Sequence, residues 1–469
     1  MPQRPSSRFR RREFLASLAA GSAGLVGMAK RGFASSSGRS LLAGEGVVDS
    51  TPPLGIEMGG FHRPPGKERR VEGIRRPTAV RGLMLAHGDS EAAILSIDIA
   101  TVSEEFARRV QQGVAAKTGI PAENVRVCAT HTHSMPALNY LRQWGAVPVD
   151  YMNELEKKCV EAVVLAKGDL APAKLSLGKS RAVGANFNRT TKDYQTDEPF
   201  APNSSDESRW LDTMLHVLHF DRPGERRDLL WYHFSAHAVC FADEQAGPDW
   251  PGAVAQLVEE KFGLSPSYLQ GHAGDVNPGD SDPWRGDIDD TTRGVFDAFC
   301  RAMQSLQPVD VDRLDSLTRP FQVPLDLALF RSWLAQYRED PKKCVGGPWV
   351  DAGFAADWYR GNAERDLSRS HWPIALSAIR LGPIALAFHP AELYSVYGLT
   401  IRRDCPLADT LVVGYADGII GYLPDPNAYR AGEYSALTVP KILDIPPFTP
   451  TAAREMTAAM HGILVDLAG

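Results

Sequence analysis

The stretch Val125-Arg126-Val127-Cys128-Ala129-Thr130-His131-Thr132-His133-Ser134 runs alternating apolar residues into two histidines one residue apart. Alternation at period two predicts a strand. In an extended chain His131 and His133 then point to one side. Paired imidazoles at a strand end begin many metal sites. With 12 histidines in the chain, one such pair can also arise by chance.

Two further groups sit in similar positions. Asp228 to Phe234 reads as a strand and leads into Ser235-Ala236-His237, and Ile384 to His389 leads into Pro390-Ala391-Glu392. Alone, His237 fits a core histidine and Glu392 fits a helix cap. Together, two histidines and a carboxylate are the donor set of a catalytic zinc, which keeps one position open for water.

The positioning elements follow from the hydrophobic pattern. Gly82 to His87 and Ala92 to Ile99 form a hairpin across Gly88-Asp89-Ser90, and Met214 to Phe220 pairs with Asp228 to Phe234. Ala375 to Leu381 pairs with Ile384 to His389 across Gly382-Pro383. Ser103 N-caps a helix to Lys117, and further helices are expected over Tyr151–Ala166, Ala253–Phe262, Thr291–Leu306 and Leu393–Arg403. Residues 191–209 read as an exposed insertion, and Gly418 to Tyr429 as a loop. The fold class is α/β, a mixed β-sheet core flanked by helices in one large catalytic domain with long loops. Ligand sites on such sheets collect at strand ends.

These motifs, in this order, resemble the neutral/alkaline ceramidases. Thr130-His131-Thr132-His133-Ser134 is similar to the family's Thr-His-Thr-His-Ser, and Ser235-Ala236-His237 to its second metal-histidine segment. Gly274-Asp275-Val276-Asn277-Pro278 resembles its Gly-Asp-Val-Ser-Pro, and Pro390-Ala391-Glu392 its Pro-Gly-Glu. Tyr422 and Tyr434, twelve residues apart, resemble its paired tyrosines. The resemblance spans roughly residues 48–440 and implies one zinc held by His131, His237, Glu392 and Tyr422. It also implies that His133 and Tyr434 donate hydrogen bonds to the reacting carbonyl, and that Arg189 lines the site. Zinc would activate water near neutral pH for attack on a linear N-acyl amide. Donors aimed at the developing oxyanion stabilise it by a few kcal/mol each.

Three departures bear on substrate. Asn277 stands where the family has serine; it cannot be a nucleophile, but its amide can hydrogen-bond a substrate. Met135-Pro136-Ala137 replaces a glycine-rich turn. Gly469 comes about 35 residues after Tyr434, which is too short for the family's immunoglobulin-like C-terminal domain. The first two predict a substrate smaller or more polar than ceramide. Two other readings stay open: a related metallohydrolase acting on an ester or a sugar-linked acyl group, and a non-catalytic binding protein on the same scaffold.

Residues 1–34 differ from the rest. Arg11-Arg12-Glu13-Phe14-Leu15 precedes a weak apolar run, then Lys30-Arg31 and Gly32-Phe33-Ala34. This is the pattern of a twin-arginine export signal cleaved after Ala34, and residues 35–48 read as a flexible leader before a domain over 49–469. The export machinery is therefore the precursor's expected partner, and the periplasm or exterior its destination. The whole chain carries a formal charge of −6. Removing the seven basic residues and one acidic residue of the signal leaves 44 basic against 56 acidic, or −12. That balance disfavours nucleic acid and leaves a small-molecule or lipid-like substrate. No apolar run reaches the roughly 18 residues of a transmembrane helix. Six scattered cysteines form no disulfide framework or Cys₄ zinc module and predict mostly buried free thiols. Replacing Arg11 and Arg12 with Lys should strand the precursor in the cytoplasm on fractionation; unchanged export of that variant overturns the signal.

Overall fold

The computed structural model describes residues 40–469; the expected signal and the start of the expected leader lie outside them. The strand order resolves the mixed core into three larger sheets. In the first, Val125–Ala129 lies at one edge, followed by Ser90–Ile97, Ala79–His87, Leu42–Asp49 and Ala171–Pro172. The second runs Ser267–Gln270, Leu229–Phe234, Met214–Asp221, Lys174–Arg181 and Gln307–Val309. The third runs Leu314–Pro324, His371–Leu381, Ile384–Phe388 and Asp409–Val413. All three expected hairpins are present as antiparallel pairs.

Each of these sheets has its parallel pair at one edge. The pairs are Ser90–Ile97 with Val125–Ala129, Leu229–Phe234 with Ser267–Gln270, and Ile384–Phe388 with Asp409–Val413. The three edges are stitched together. Ser96 Oγ donates to Tyr268 O at 2.6 Å, Gly414 N to Gln270 O at 3.1 Å, and Ala129 N to Tyr415 O at 3.1 Å.

Alternation along the strands explains the core. Leu83, Leu85 and Ile94 of the first sheet meet Leu218 and Trp231 of the second and Ile379, Leu386 and Leu411 of the third in one apolar cluster. Their neighbours Val80, Met84, Ala93 and Leu95 face the other way, toward the helices Glu104–Thr118 and Val149–Gly168. The sheets therefore share a centre and wear helices outside, as period-two patterning with both faces buried requires. Ser103 caps the first helix as expected, accepting from Phe106 N.

Three expectations need correction. Residues 42–48 are not a leader: Leu42–Asp49 is a strand of the first sheet. Its glycines admit a close helix rather than confer flexibility. A Cβ on Gly44 would lie 2.2 Å from Ala166 O, and one on Gly46 2.1 Å from Ala162 O. Residues 191–209 are largely exposed, as expected, with Asp197 alone buried, and the segment is anchored: Asp197 accepts from Thr213 N and pairs with Arg402, and Arg209 pairs with Asp425 and Glu433. The Gly418–Tyr429 loop contains the strand Gly421–Leu423 and the start of the helix Pro426–Ala431. The strand Val125–Ala129 ends before the histidines, and His131 has φ +60°. Simple alternation therefore does not aim His131 and His133.

The six cysteines are free, four of them buried. Among the described residues no helix is long and apolar enough to cross a membrane. Gly46→Ala should destabilise the protein by about 1–3 kcal/mol, because the backbone carbonyl it meets cannot swing away. Gly168→Ala, with open space around its Cβ, is the control. Equal melting temperatures for the two variants would overturn this reading of the strand.

Candidate metal centre

His131, His237 and Glu392 each sit just beyond a parallel edge. Thr130 N donates to Ile97 O at 2.9 Å, ending the first edge. The left-handed backbone at His131 then turns the chain, and neighbours hold it there. Thr132 Oγ1 donates to Gly247 O at 2.8 Å, His133 N to Ala238 O at 2.9 Å, and Arg69 Nη1 to His133 O at 3.0 Å. His237 follows the strand Leu229–Phe234, its N–H bonded to Val276 O at 3.1 Å. Glu392 and Tyr422 face each other in register across a short parallel ladder, Ala391–Leu393 with Gly421–Leu423. That ladder explains why a carboxylate and a phenol thirty residues apart in sequence share one face.

The side chains converge. His131 Nε2 lies 3.5 Å and His237 Nε2 3.3 Å from Glu392 Oε2. Tyr422 Oη is 3.5 Å from His237 Nε2, and His133 Nε2 is 3.1 Å from His131 Nε2. Metal–ligand bonds of about 2.0–2.2 Å at tetrahedral angles place neighbouring donors about 3.3–3.5 Å apart. The buried group His131, His133 and His237, with donors within 4.8 Å of one another, can hold a metal ion.

The hydrogen bonds support a cation as well. His131 Nδ1 lies 2.7 Å from Ala100 O, and His237 Nδ1 3.0 Å from Val276 O. A carbonyl only accepts, so each Nδ1 carries the proton and, in the neutral ring, each Nε2 presents a lone pair. Burial first, then the Arg189 charge, pushes the His237 pKa down to about 3, so this ring is neutral near pH 7. Burial and the neighbouring His131 and His237 rings likewise hold His133 well below the usual histidine range. Lone pairs facing a buried carboxylate repel unless a cation lies between them. The residues thus fit a metal on chemistry as well as spacing.

Arg189 borders this group. Its Nη2 donates to Tyr422 Oη at 2.5 Å and to Gly274 O at 2.8 Å, and Nη1 to Asn277 Oδ1 at 3.2 Å. Tyr434 is about half exposed on the wall of a cavity of about 400 Å³, its ring 6.4 Å from that of Tyr422. His133, Arg189 and Tyr422 line the same cavity, with Phe61, Trp144 and Trp284. A water-sized void of about 20 Å³ behind it touches His131 and Glu392.

Asn277 is placed differently from expectation. It is fully buried and outside the cavity wall. Its Oδ1 accepts from Arg189 and its Nδ2 donates to Trp284 O at 2.7 Å, so its amide braces two wall residues and is not presented to a substrate. Met135, Pro136 and Ala137 are also buried and outside the wall. The close approach comes from Gly60, at φ +94°, where a Cβ would lie 2.5 Å from His133 Cβ. Neither departure narrows the cavity, and the argument from them for a smaller substrate falls.

The sequence reading missed three aromatic residues. Tyr415 stacks on His131 with ring centroids 4.2 Å apart, Phe61 meets His133 edge-on at 5.4 Å, and Trp144 does so at 5.6 Å. Tyr415 follows an apolar strand, as His237 does, and the same rule points to it. Phe61 and Trp144 lie in irregular segments that carry no such signal.

The chain is similar to known proteins over most of its length. The model of the neutral/alkaline non-lysosomal ceramidase N-terminal region matches residues 41–305. The chain is 25% identical to the neutral ceramidase of Mycobacterium tuberculosis (strain ATCC 25618 / H37Rv), over 84% of this chain and 73% of that one. Its fold is similar to that of neutral ceramidase from Pseudomonas aeruginosa, with a TM-score of 0.70 and 18% identity over 92% of this chain and 74% of that one. A ceramidase complexed with C2 gives the same score and identity, over 92% and 75% of the two chains. With more than half its length matched by the family model, the chain belongs to the neutral/alkaline non-lysosomal ceramidase family, a family of hydrolases.

Proposed function

We propose that the protein is an exported zinc-dependent amidase that hydrolyses a linear N-acyl amide of ceramide type. The observation that carries this reading is the ring of donors: two imidazoles with Nδ1 tied to carbonyls, Nε2 atoms 3.3 Å and 3.5 Å from one buried carboxylate. In this reading His131, His237, Glu392 and Tyr422 hold the zinc. When bound, zinc supplies a water of lowered pKa and a Lewis acid for the carbonyl.

The remaining steps belong to the chain's own residues. The aromatic wall of Phe61, Trp144, Trp284 and Tyr434 seats the apolar part of the substrate and limits bulk water. Arg189 keeps a permanent charge beside Tyr422 and the reacting carbonyl, and Asn277 and Gly274 O fix its plane. His133 and Tyr434 donate to the oxygen that gains charge. Hydrolysis forms a bond from water oxygen to the carbonyl carbon and breaks the C–N bond. The proton lost by the attacking water ends on the leaving amine, and His133, held neutral by burial, is placed to take it up and pass it on.

The ligand and donor roles separate by experiment. His131→Ala should lose both metal, read by elemental analysis of the purified protein, and amidase activity. His133→Ala should keep the metal and lose about 10²–10³ in kcat, the cost of one oxyanion donor. Loss of metal in His133→Ala would instead make His133 a ligand, and full metal in His131→Ala would overturn the site.

A further inference from the structure

A second hollow, of about 460 Å³, adjoins the catalytic cavity. Arg189, Thr190 and Trp284 line both, so they form the saddle between them. The two sides differ in chemistry. The first is walled by aromatic and apolar groups around the metal ligands; the second adds Lys192, Tyr194, Asp280 and Ser281. Lys192 and Ser281 are exposed and Tyr194 is half-buried, and among the described residues no hydrogen bond or ion pair engages their side chains, while Asp280 accepts from Asp282 N. Ser281 also holds φ +92°, a conformation costly for a residue with a side chain. Trp284, 54% exposed, presents its ring where the two hollows meet.

We propose that this second hollow is a subsite for a neutral hydroxylated head group, a sugar or polyol, carried by the N-acyl substrate whose amide reaches the metal centre. The proposal rests on the amidase reading. Charge selects the class. An anion would meet Asp280, and a cation would meet Lys192 and Arg189. The Arg189 guanidinium is already engaged by Tyr422, Gly274 and Asn277. Hydroxyl groups both donate and accept, and so satisfy Lys192, Ser281, Tyr194 and the Asp280 carboxylate together. Exposed Trp284 and half-buried Tyr194 line the hollow with aromatic surface, which suits the C–H face of a pyranose. Asn277 strengthens the case. Through its bond to Trp284 O it fixes the saddle from behind, while its Oδ1 accepts from Arg189.

The test uses the whole zinc-loaded protein and two substrates, a short-acyl ceramide and the same molecule with a glucosyl group on its primary hydroxyl. Octyl glucoside binding by saturation-transfer NMR is measured in parallel, because it needs no turnover. Wild type should show a KM about tenfold lower for the glucosylated amide. Lys192→Ala/Ser281→Ala should abolish that difference and the octyl glucoside signal, while cleavage of the plain ceramide is unchanged. Equal kinetics for both substrates in wild type, or an octyl glucoside signal that survives in the double variant, overturns the subsite and leaves the amidase reading standing. Failure to cleave either amide, with octyl glucoside binding that the double variant loses, overturns the amidase reading and supports the subsite.

Discussion

One buried side chain joins the parts of this site. Gln270 ends the second sheet's edge strand and is 1% exposed. Its Nε2 donates to Thr130 O at 3.3 Å and Ala236 O at 2.8 Å, and its Oε1 accepts from Tyr268 Oη at 2.8 Å and Gly271 N at 3.1 Å. Thr130 precedes His131, and Ala236 precedes His237. A single amide therefore sets the spacing between the two chain segments that carry these histidines. No purely apolar residue could do this, because the carbonyls at the sheet junction would be left without donors, at about 1–3 kcal/mol each. The interior bonds that would stabilise any fold are here also the ones that set donor positions.

The same junction explains the strained backbone. His131, Tyr415 and Asp417 all have positive φ, and all lie just past an edge where two sheets meet. The left-handed turn redirects the chain and at the same time swings the His131 ring onto Tyr415. Such turns cost on the order of 1–3 kcal/mol each and persist only where surrounding bonds over-determine them. Ala129 N to Tyr415 O, Asp417 N to Val127 O and Ala416 N to His389 O are those bonds.

Much of this was legible in the sequence, for identifiable reasons. Hairpins and amphipathic helices follow from local periodicity, so the Met214–Asp221 and Leu229–Phe234 pair and the helix Val149–Gly168 were readable. His131, His237 and Glu392 were readable because each follows an apolar run, whereas Tyr422 came from the family resemblance alone. That these donors meet was expected; that three sheets rather than one supply the edges was not, because sheet partition is set by contacts distant in sequence. Gly44 and Gly46 were misread since glycine for close packing and glycine for flexibility look alike without the helix beside them. Asn277 was misread for a similar reason: its amide groups do hydrogen-bond, but toward Arg189 and Trp284.

That placement changes how the family difference acts. A residue facing the substrate alters affinity by its own contacts. A residue behind Arg189 acts through the angle and stiffness of a guanidinium that bridges Tyr422 and the Gly274 carbonyl. Three bonds on one planar group leave it little rotational freedom, and a charge held still loses less to reorganisation when a carbonyl oxygen becomes an oxyanion. The Trp284 carbonyl, fixed by the other end of the same amide, puts the saddle between the two hollows under the same control. In the proposed amidase, position 277 thus couples the placement of the Arg189 charge to the shape of the saddle between the two hollows.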